Sequence, residues 1–168
     1  MLNFLKKPKE SFKTWRFRTV MNLYPMFFGT GGKITLISAD WREVNVHLGL
    51  SLWTRNYVKT IFGGSMFSAS DPFYMLMLMH NLGKEYVVWD KSAQIRFRRP
   101  AKEGISTQFV LKEELIEEVK AKIAIQGEAD FTFMVQWFNK EGKIVSEIER
   151  LVYVASKDFY KQKRESKS

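Results

Sequence analysis

Val44, Val46, Leu48 and Leu50 alternate with Asn45, His47 and Gly49, the two-residue period of a strand lying on a core. Lys33 to Ser38 has the same character, and the intervening "SADW" predicts a tight turn, so the two segments read as a hairpin. Upstream the period is helical. A helix is predicted from about Ser11, a capping residue, to about Phe28, with Phe12, Trp15, Val20 and Leu23 roughly on one face; Pro25 and the "GTGG" at 29–32 end it. After a loop over 51–62, a second helix is predicted from the Gly63-Gly64 pair to Gly83, with Ser65 in its capping region. It would be about 18 residues and ~27 Å long. Its apolar side chains run round most of the circumference, so it is expected to be enclosed on nearly all sides. Met66, Met75, Met77 and Met79 suit an irregular space, either plain core packing or a tunnel for a fatty chain.

Strand periods follow. Ala93, Ile95 and Phe97 oppose Gln94, Arg96 and Arg98; Ser106 to Lys112 comes next; a long run from Ala121 to Trp137 alternates through Ile123, Ile125, Phe131, Phe133 and Val135; "NKEGK" turns the chain back into Ile144 to Ala155. The expected class is α+β: a curled antiparallel sheet of about six strands wrapped round one long helix, plus an N-terminal helix. Residues 1–32 read as a helical arm packed on the domain of residues 33–156, and 157–168 as a basic C-terminal tail.

One residue breaks the pattern of the central helix. From Thr60 to Met79, Asp71 is the only charged side chain, and proline follows it at once. A charge among apolar neighbours costs several kcal/mol unless something pairs with it or uses it. Pro72 removes a backbone donor and crowds the residue before it, so the helix should bend near Asp71 and open a gap. The bland alternative is that Asp71 satisfies local backbone donors at that bend.

The totals narrow the chemistry. The 168 residues contain no cysteine, which removes thiol catalysis, thiolate metal sites and disulfides, and makes a reducing, cytoplasmic setting the simpler expectation. No signal-peptide core is present near the start and no run is long enough to span a bilayer. Twenty-seven Lys and Arg against 18 Asp and Glu give a net charge of +9, which favours anionic partners. The two histidines, His47 and His80, lack a carboxylate-rich setting, so no metal site is expected.

Asn56, five residues, Phe62-Gly63-Gly64, six residues, then Asp71: this spacing resembles the phenylacetyl-CoA-thioesterase-like branch of the hotdog superfamily, which carries Asn, five residues, His-Gly-Gly, six residues and an acidic residue in its central helix. "FGGSMFSASDPFYMLML" and "VVWDKSAQIRF" also look like an uncharacterised branch of that superfamily with Phe in the His position and a following Asp-Pro. The likeness covers nearly the whole chain in element order, and its specific part is residues 55–100. Phe62 is the departure: phenyl neither donates a hydrogen bond nor moves a proton, which demotes dehydration.

The resemblance implies an acyl-CoA thioesterase, with coenzyme A or a carrier protein as the thiol and no further cofactor; Phe62, Met66, Phe67 and the methionine run offer no polar partners, so the acyl group is expected to be apolar and of medium or long chain. Asp71 would be general base or nucleophile, Gly63 and Gly64 oxyanion donors, and Asn56 a group that orients water or the thioester oxygen. Phe62, Ser65 and Met66 would meet the acyl group, Asp90 would stand near a position where relatives place a small hydroxyl residue or, as its place suggests more strongly, be an exposed strand-start residue, and Arg98 and Arg99, with Arg96 and Lys102, either hold phosphates or form a solvated face. The superfamily habit implies a homodimer or a dimer of dimers with sites between subunits. Two other readings stand beside it: a non-catalytic hotdog protein that binds acyl-CoA or lipid, and a basic membrane-surface or nucleic-acid module in which Trp15 and Phe17 lie on an interfacial helix, nucleic acid being the partner not expected of a hotdog enzyme.

Overall fold

The computed structural model describes residues 8–166, so residues 1–7 of the N-terminal arm and 167–168 of the basic tail lie outside the description. Among the described residues six strands, β1 (Gly32–Ile37), β2 (Glu43–Leu48), β3 (Tyr86–Phe97), β4 (Ile105–Val110), β5 (Glu128–Phe138) and β6 (Ile144–Ser156), form one antiparallel sheet in the order β1-β2-β4-β5-β6-β3. This is the expected α+β architecture. The central seam is narrow, since β4 and β5 share the single paired position Ser106–Phe138, whereas β5 and β6 pair along almost their whole lengths.

The helix that fills the sheet comes in two pieces, α3 (Gly63–Ser68) and α4 (Phe73–Leu82). Tyr74 stacks on Phe133 at 4.4 Å and meets Phe109 edge-on at 5.3 Å, so α4 joins strands on both sides of the seam. Below α3, the buried Trp137 indole donates to the Met66 carbonyl at 3.1 Å, giving a core aromatic its polar partner. The expected bend is a full interruption over 69–72. Pro72 cannot donate to the preceding turn, and α4 restarts after it.

The N-terminal helix divides in the same way, into α1 (Phe12–Leu23) and α2 (Pro25–Phe28). Proline at 25 drives Tyr24 into an extended conformation, φ −65° and ψ 123°, which ends α1 earlier than its apolar pattern does. α1 covers the free edge of β1 with polar side chains: Asn22 Nδ2 donates to the Ile34 carbonyl and Asn22 Oδ1 accepts from its N–H, while Glu10 accepts from Ile37 N–H and pairs with Arg18. An edge that would otherwise invite pairing is thereby closed.

The expected strand from Ala121 to Trp137 is corrected. Residues Glu113–Gln126 form a helix, α5, and β5 begins only at Glu128. Ile116, Val119 and Ile123 are the buried face of α5, at helical spacing, and Gly127 with φ 77° ends it in a left-handed conformation. Ile125, which suggested strand alternation with Ile123, is 86% exposed. β3 starts earlier than its alternation suggested, at Tyr86, because a bulge at Asp90–Ser92 shifts the phase. Residues Lys157–Glu165 of the basic C-terminal segment form α6, capped by Ser156.

Candidate active site

Asp71 sits at the helix interruption with its side chain about half exposed, and its Oδ2 lies 3.5 Å from Nη1 of Arg150. Arg150 is only 2% exposed, and its Nη1 is also 3.8 Å from Asp90 Oδ2. Its Nη2 donates to Ser70 Oγ at 3.1 Å and to the Phe67 carbonyl at 3.4 Å, so the guanidinium ties the end of α3 to the sheet. No backbone N–H among the described residues caps the Asp71 carboxylate; a buried cation holds it instead.

The sheet explains how these groups meet. Along β6 the inward positions are Ser146, Ile148, Arg150, Val152 and Val154, and Arg150 is in strict phase with them. On β3, Asp90 pairs with Val152 and Ala93 with Arg150, three residues apart on one strand against two on the other. The bulge absorbs the extra residue, so that Asp90 and Ala93 both face the helix. Asp90 is therefore partly buried inside a strand and not an exposed strand-start residue. Burial pushes its carboxyl above the ordinary range; Arg150 opposes that shift and Asp71 adds to it. Asp90 Oδ1 and Arg150 Nε are both buried without a hydrogen-bond partner, so the cluster is incompletely satisfied within one chain.

Asn56, Gly63, Met66, Arg98 and Arg99 line a second region, a cleft of about 440 Å³ that Thr60, Ile61 and the segment Phe97–Ala101 complete. Asn56 closes a small loop there: its Oδ1 accepts from Thr60 N–H and its Nδ2 donates to Thr60 Oγ1, leaving one amide hydrogen uncommitted. Ser65 and Met66 donate to the Phe62 carbonyl, and the Gly63 and Gly64 N–H groups ahead of them have no intrahelical acceptor. Aromatic rings lie over both glycines. A Cβ on Gly63 would stand 2.5 Å from Phe97 Cζ, and one on Gly64 2.3 Å from Phe62 Cε1, so only glycine admits these rings so close to the backbone. Both rings are more than half exposed. Arg98 donates to Glu147 and Arg99 to the Ile144 carbonyl, each keeping further N–H donors. Ser65 and Met66 are buried in α3.

The sequence-predicted residues thus fall into two groups, Asn56–Gly63–Arg98–Arg99 at the cleft and Asp71–Asp90 with Arg150. Gly63 opens α3 whereas Asp71 lies beyond its end, in the interruption, and the two groups share neither a hydrogen bond nor the cleft lining within one chain. His47 shares a hydrogen bond with Ser106 and His80 stacks on Trp41 at 3.7 Å, away from both groups. Among the described residues no cluster could hold a metal ion.

A family model described as "Domain of unknown function (DUF4442)" matches residues 13–154, most of the chain and both groups of residues. The chain belongs to the DUF4442 family. No curated protein matches its sequence. Solved structures share its fold: a Pseudomonas aeruginosa protein of unknown function at TM-score 0.70 and 20% identity, covering 83% of this chain and 93% of that one; a thioesterase from Haemophilus influenzae at TM-score 0.63 and 10% identity, covering 88% and 94%; and thioesterase superfamily member 2 from Mus musculus at TM-score 0.60 and 18% identity, covering 85% and 98%. The fold of this DUF4442 chain is the hotdog fold. Within it, Arg150 is the residue that sequence reasoning missed. Its signal was present: an arginine in phase with Ile148 and Val152 on a strand must be buried, and a buried arginine needs carboxylates.

Proposed function

We propose that the protein hydrolyses an apolar medium- or long-chain acyl thioester of coenzyme A or a carrier protein, at a site assembled between two copies of the chain. The observation that carries this reading is the half-exposed Asp71 carboxylate, held by buried Arg150 and following Asn56 and the two uncommitted glycine amides at the motif's sequence spacing. Because the two groups share neither a cleft nor a hydrogen bond in one protomer, Asn56, Gly63 and Gly64 of one copy would face Asp71 of its partner. The free edge of β3, a 12-residue strand that pairs on one side only, supplies the surface for such a pairing.

In that arrangement the glycine N–H groups hold the developing oxyanion while the Asp71 carboxylate either takes a proton from water as the water adds to the carbonyl carbon, or adds to it directly and forms an anhydride that water then opens. Either route expels the thiolate, which leaves with a proton as free thiol. Phe62, Met66 and Phe97 offer the acyl group an apolar wall without polar partners, and the free donors of Arg98 and Arg99 suit phosphate. The similar structures named as thioesterases support the reading through their shared fold.

A second reading rests on the rings of Phe62 and Phe97 over the glycine amides: a protein that binds acyl thioesters and releases them intact. Thiol release from acyl-CoAs of graded chain length, measured on purified protein, decides between them. Turnover that rises with chain length supports hydrolysis, whereas tight binding without thiol release supports the binder. A preference for acetyl-CoA contradicts the apolar site.

A further inference from the structure

The outward face of α1 is apolar where a helix lying on a sheet edge is expected to be polar. Thr14, Phe17, Met21 and Asn22 form the inward side, Phe17 against Trp41 and Asn22 on β1, while Phe12, Trp15, Val20 and Leu23, at helical spacing, are 74%, 45%, 58% and 72% exposed. The Phe12 and Trp15 rings stack on one another at 5.7 Å, and the stripe runs on into exposed Tyr24, Met26 and Phe28. At its far end the turn after α2 packs against the next aromatic segment. Gly31 approaches Thr54 so closely that a Cβ would lie 2.2 Å from the threonine methyl, and beside it Leu52 and Trp53 are 82% and 95% exposed. Contiguous exposed apolar surface of this kind marks an interaction site.

Charge limits what covers it. Ser11 to Ala39 contains no Asp or Glu, and neither does Ser51 to Ser70. Lys13 and Arg16 stand within the outward face of α1, with Lys9, Lys33, Arg55 and Lys59 exposed around it. Arg18 is turned inward to Glu10, and neither Lys13 nor Arg16 has an ion-pair partner among the described residues. A two-fold contact between copies would set Lys13 and Arg16 against the same cations with no carboxylate to separate them, an unfavourable match. The face also lies along β1, the opposite edge of the sheet from β3, so a dimer formed through β3 leaves it open.

We infer that this face docks on an anionic lipid surface, with Phe12, Trp15, Leu23, Met26 and Phe28 entering the interface and Lys13 and Arg16 meeting the headgroups. Aromatic and aliphatic side chains interleaved with cations suit the boundary of a bilayer, where apolar burial and attraction to negative headgroups add. Both faces of α1 are thereby used, the inner for the fold and the outer for lipid. The inference stands on the surface alone and does not require the thioester reading. If both hold, the loop that carries Trp53 continues into Asn56 and Gly63 at the cleft, which places the cleft mouth near the lipid from which an apolar substrate would come.

The test is co-sedimentation of the full chain with vesicles of phosphatidylcholine alone and of phosphatidylcholine containing phosphatidylglycerol, with sedimentation velocity in the absence of lipid. The wild-type protein should bind the anionic vesicles more tightly and lose that binding as salt rises. Phe12→Ser/Trp15→Ser/Leu23→Ser should weaken binding by at least about tenfold. Lys13→Gln/Arg16→Gln should weaken it about fivefold per charge at low salt. Ile125→Ser, which removes an equally exposed apolar side chain on α5, should leave it unchanged and so controls for general stickiness. Circular dichroism and melting verify that each variant folds, and all the substituted side chains are exposed. The inference is overturned if the triple variant binds as the wild type does, or if neutral and anionic vesicles bind equally well regardless of salt. It is also overturned if the triple variant reduces the size of the lipid-free particle, because the face is then an interface between copies.

Discussion

Replacing Arg150 with methionine removes the cation from between two carboxylates and keeps most of the side-chain volume. Asp90 carries most of the effect, since its side chain is only 23% exposed and its Oδ2 lies 3.8 Å from Arg150 Nη1. At an effective dielectric of about 20, unit charges at that separation interact by about 4 kcal/mol. Asp71, about half exposed, is screened by solvent and adds at most ~1 kcal/mol. The expected loss is therefore about 3–5 kcal/mol near neutral pH, the range for stranding a buried charge. Its pH dependence identifies the cause. Asp90 already has a folded-state pKa above the ordinary carboxylate value, and without Arg150 that value rises further. Between the two values the folded variant binds more protons at Asp90 than the unfolded chain does. Its stability accordingly falls as pH rises through that window and recovers as pH falls back through it. Urea denaturation at neutral pH and in the mildly acidic range measures the difference, and Arg150→Met/Asp90→Asn should recover most of the loss at neutral pH. An equal loss at both pH values, with no recovery in the double variant, would refute the idea that Arg150 is there to balance these carboxylates.

Co-expressing Asp71→Asn with Asn56→Ala should restore thiol release in mixed dimers to about half the wild-type rate per dimer, because one of the two sites then takes a good residue from each copy; mixed dimers as inactive as either parent would place the site within one protomer. Gly127→Ala should cost about 1–3 kcal/mol in a denaturant melt, since it forces a side chain into a left-handed conformation and toward the Phe159 ring, 2.3 Å from Cδ2; an unchanged midpoint would mean that the end of α5 relaxes freely. Trp137→Phe leaves the buried Met66 carbonyl without its indole donor and should cost about 1–3 kcal/mol at constant fold; no loss would show that another donor replaces it.

What the sequence disclosed depended on whether one local pattern was decisive. The β1–β2 hairpin was legible because alternation and the turn between the strands agree, and the interruption at Asp71-Pro72 because proline acts locally. α5 was hidden because Ile123 and Ile125 imitate strand alternation, and only the tertiary setting reveals that Ile123 is buried and Ile125 exposed. The face of α1 was legible as a stripe, but its direction was not: nothing local says that Asn22 turns inward to close the edge of β1 and that Thr14 is buried while Trp15 turns out. At the site, the Asn56–Asp71 spacing was available from the sequence, whereas the ties of Arg150 to Asp71 and Asp90 join segments 79 and 60 residues apart and depend on a bulge in β3. Such a contact belongs to the register of the sheet and not to any one segment.

The central claim is that Asp71 does chemistry at the interruption of the central helix, beyond balancing Arg150. Thiol release from a long-chain acyl-CoA by the wild type and Asp71→Asn, compared at verified folding and oligomeric state, tests it most directly. Asparagine keeps the shape and removes the base, so the account predicts a kcat about 10² to 10⁴ lower with acyl-CoA still bound. Equal turnover in the two proteins would contradict it and leave Asp71 as a structural counter-ion of Arg150.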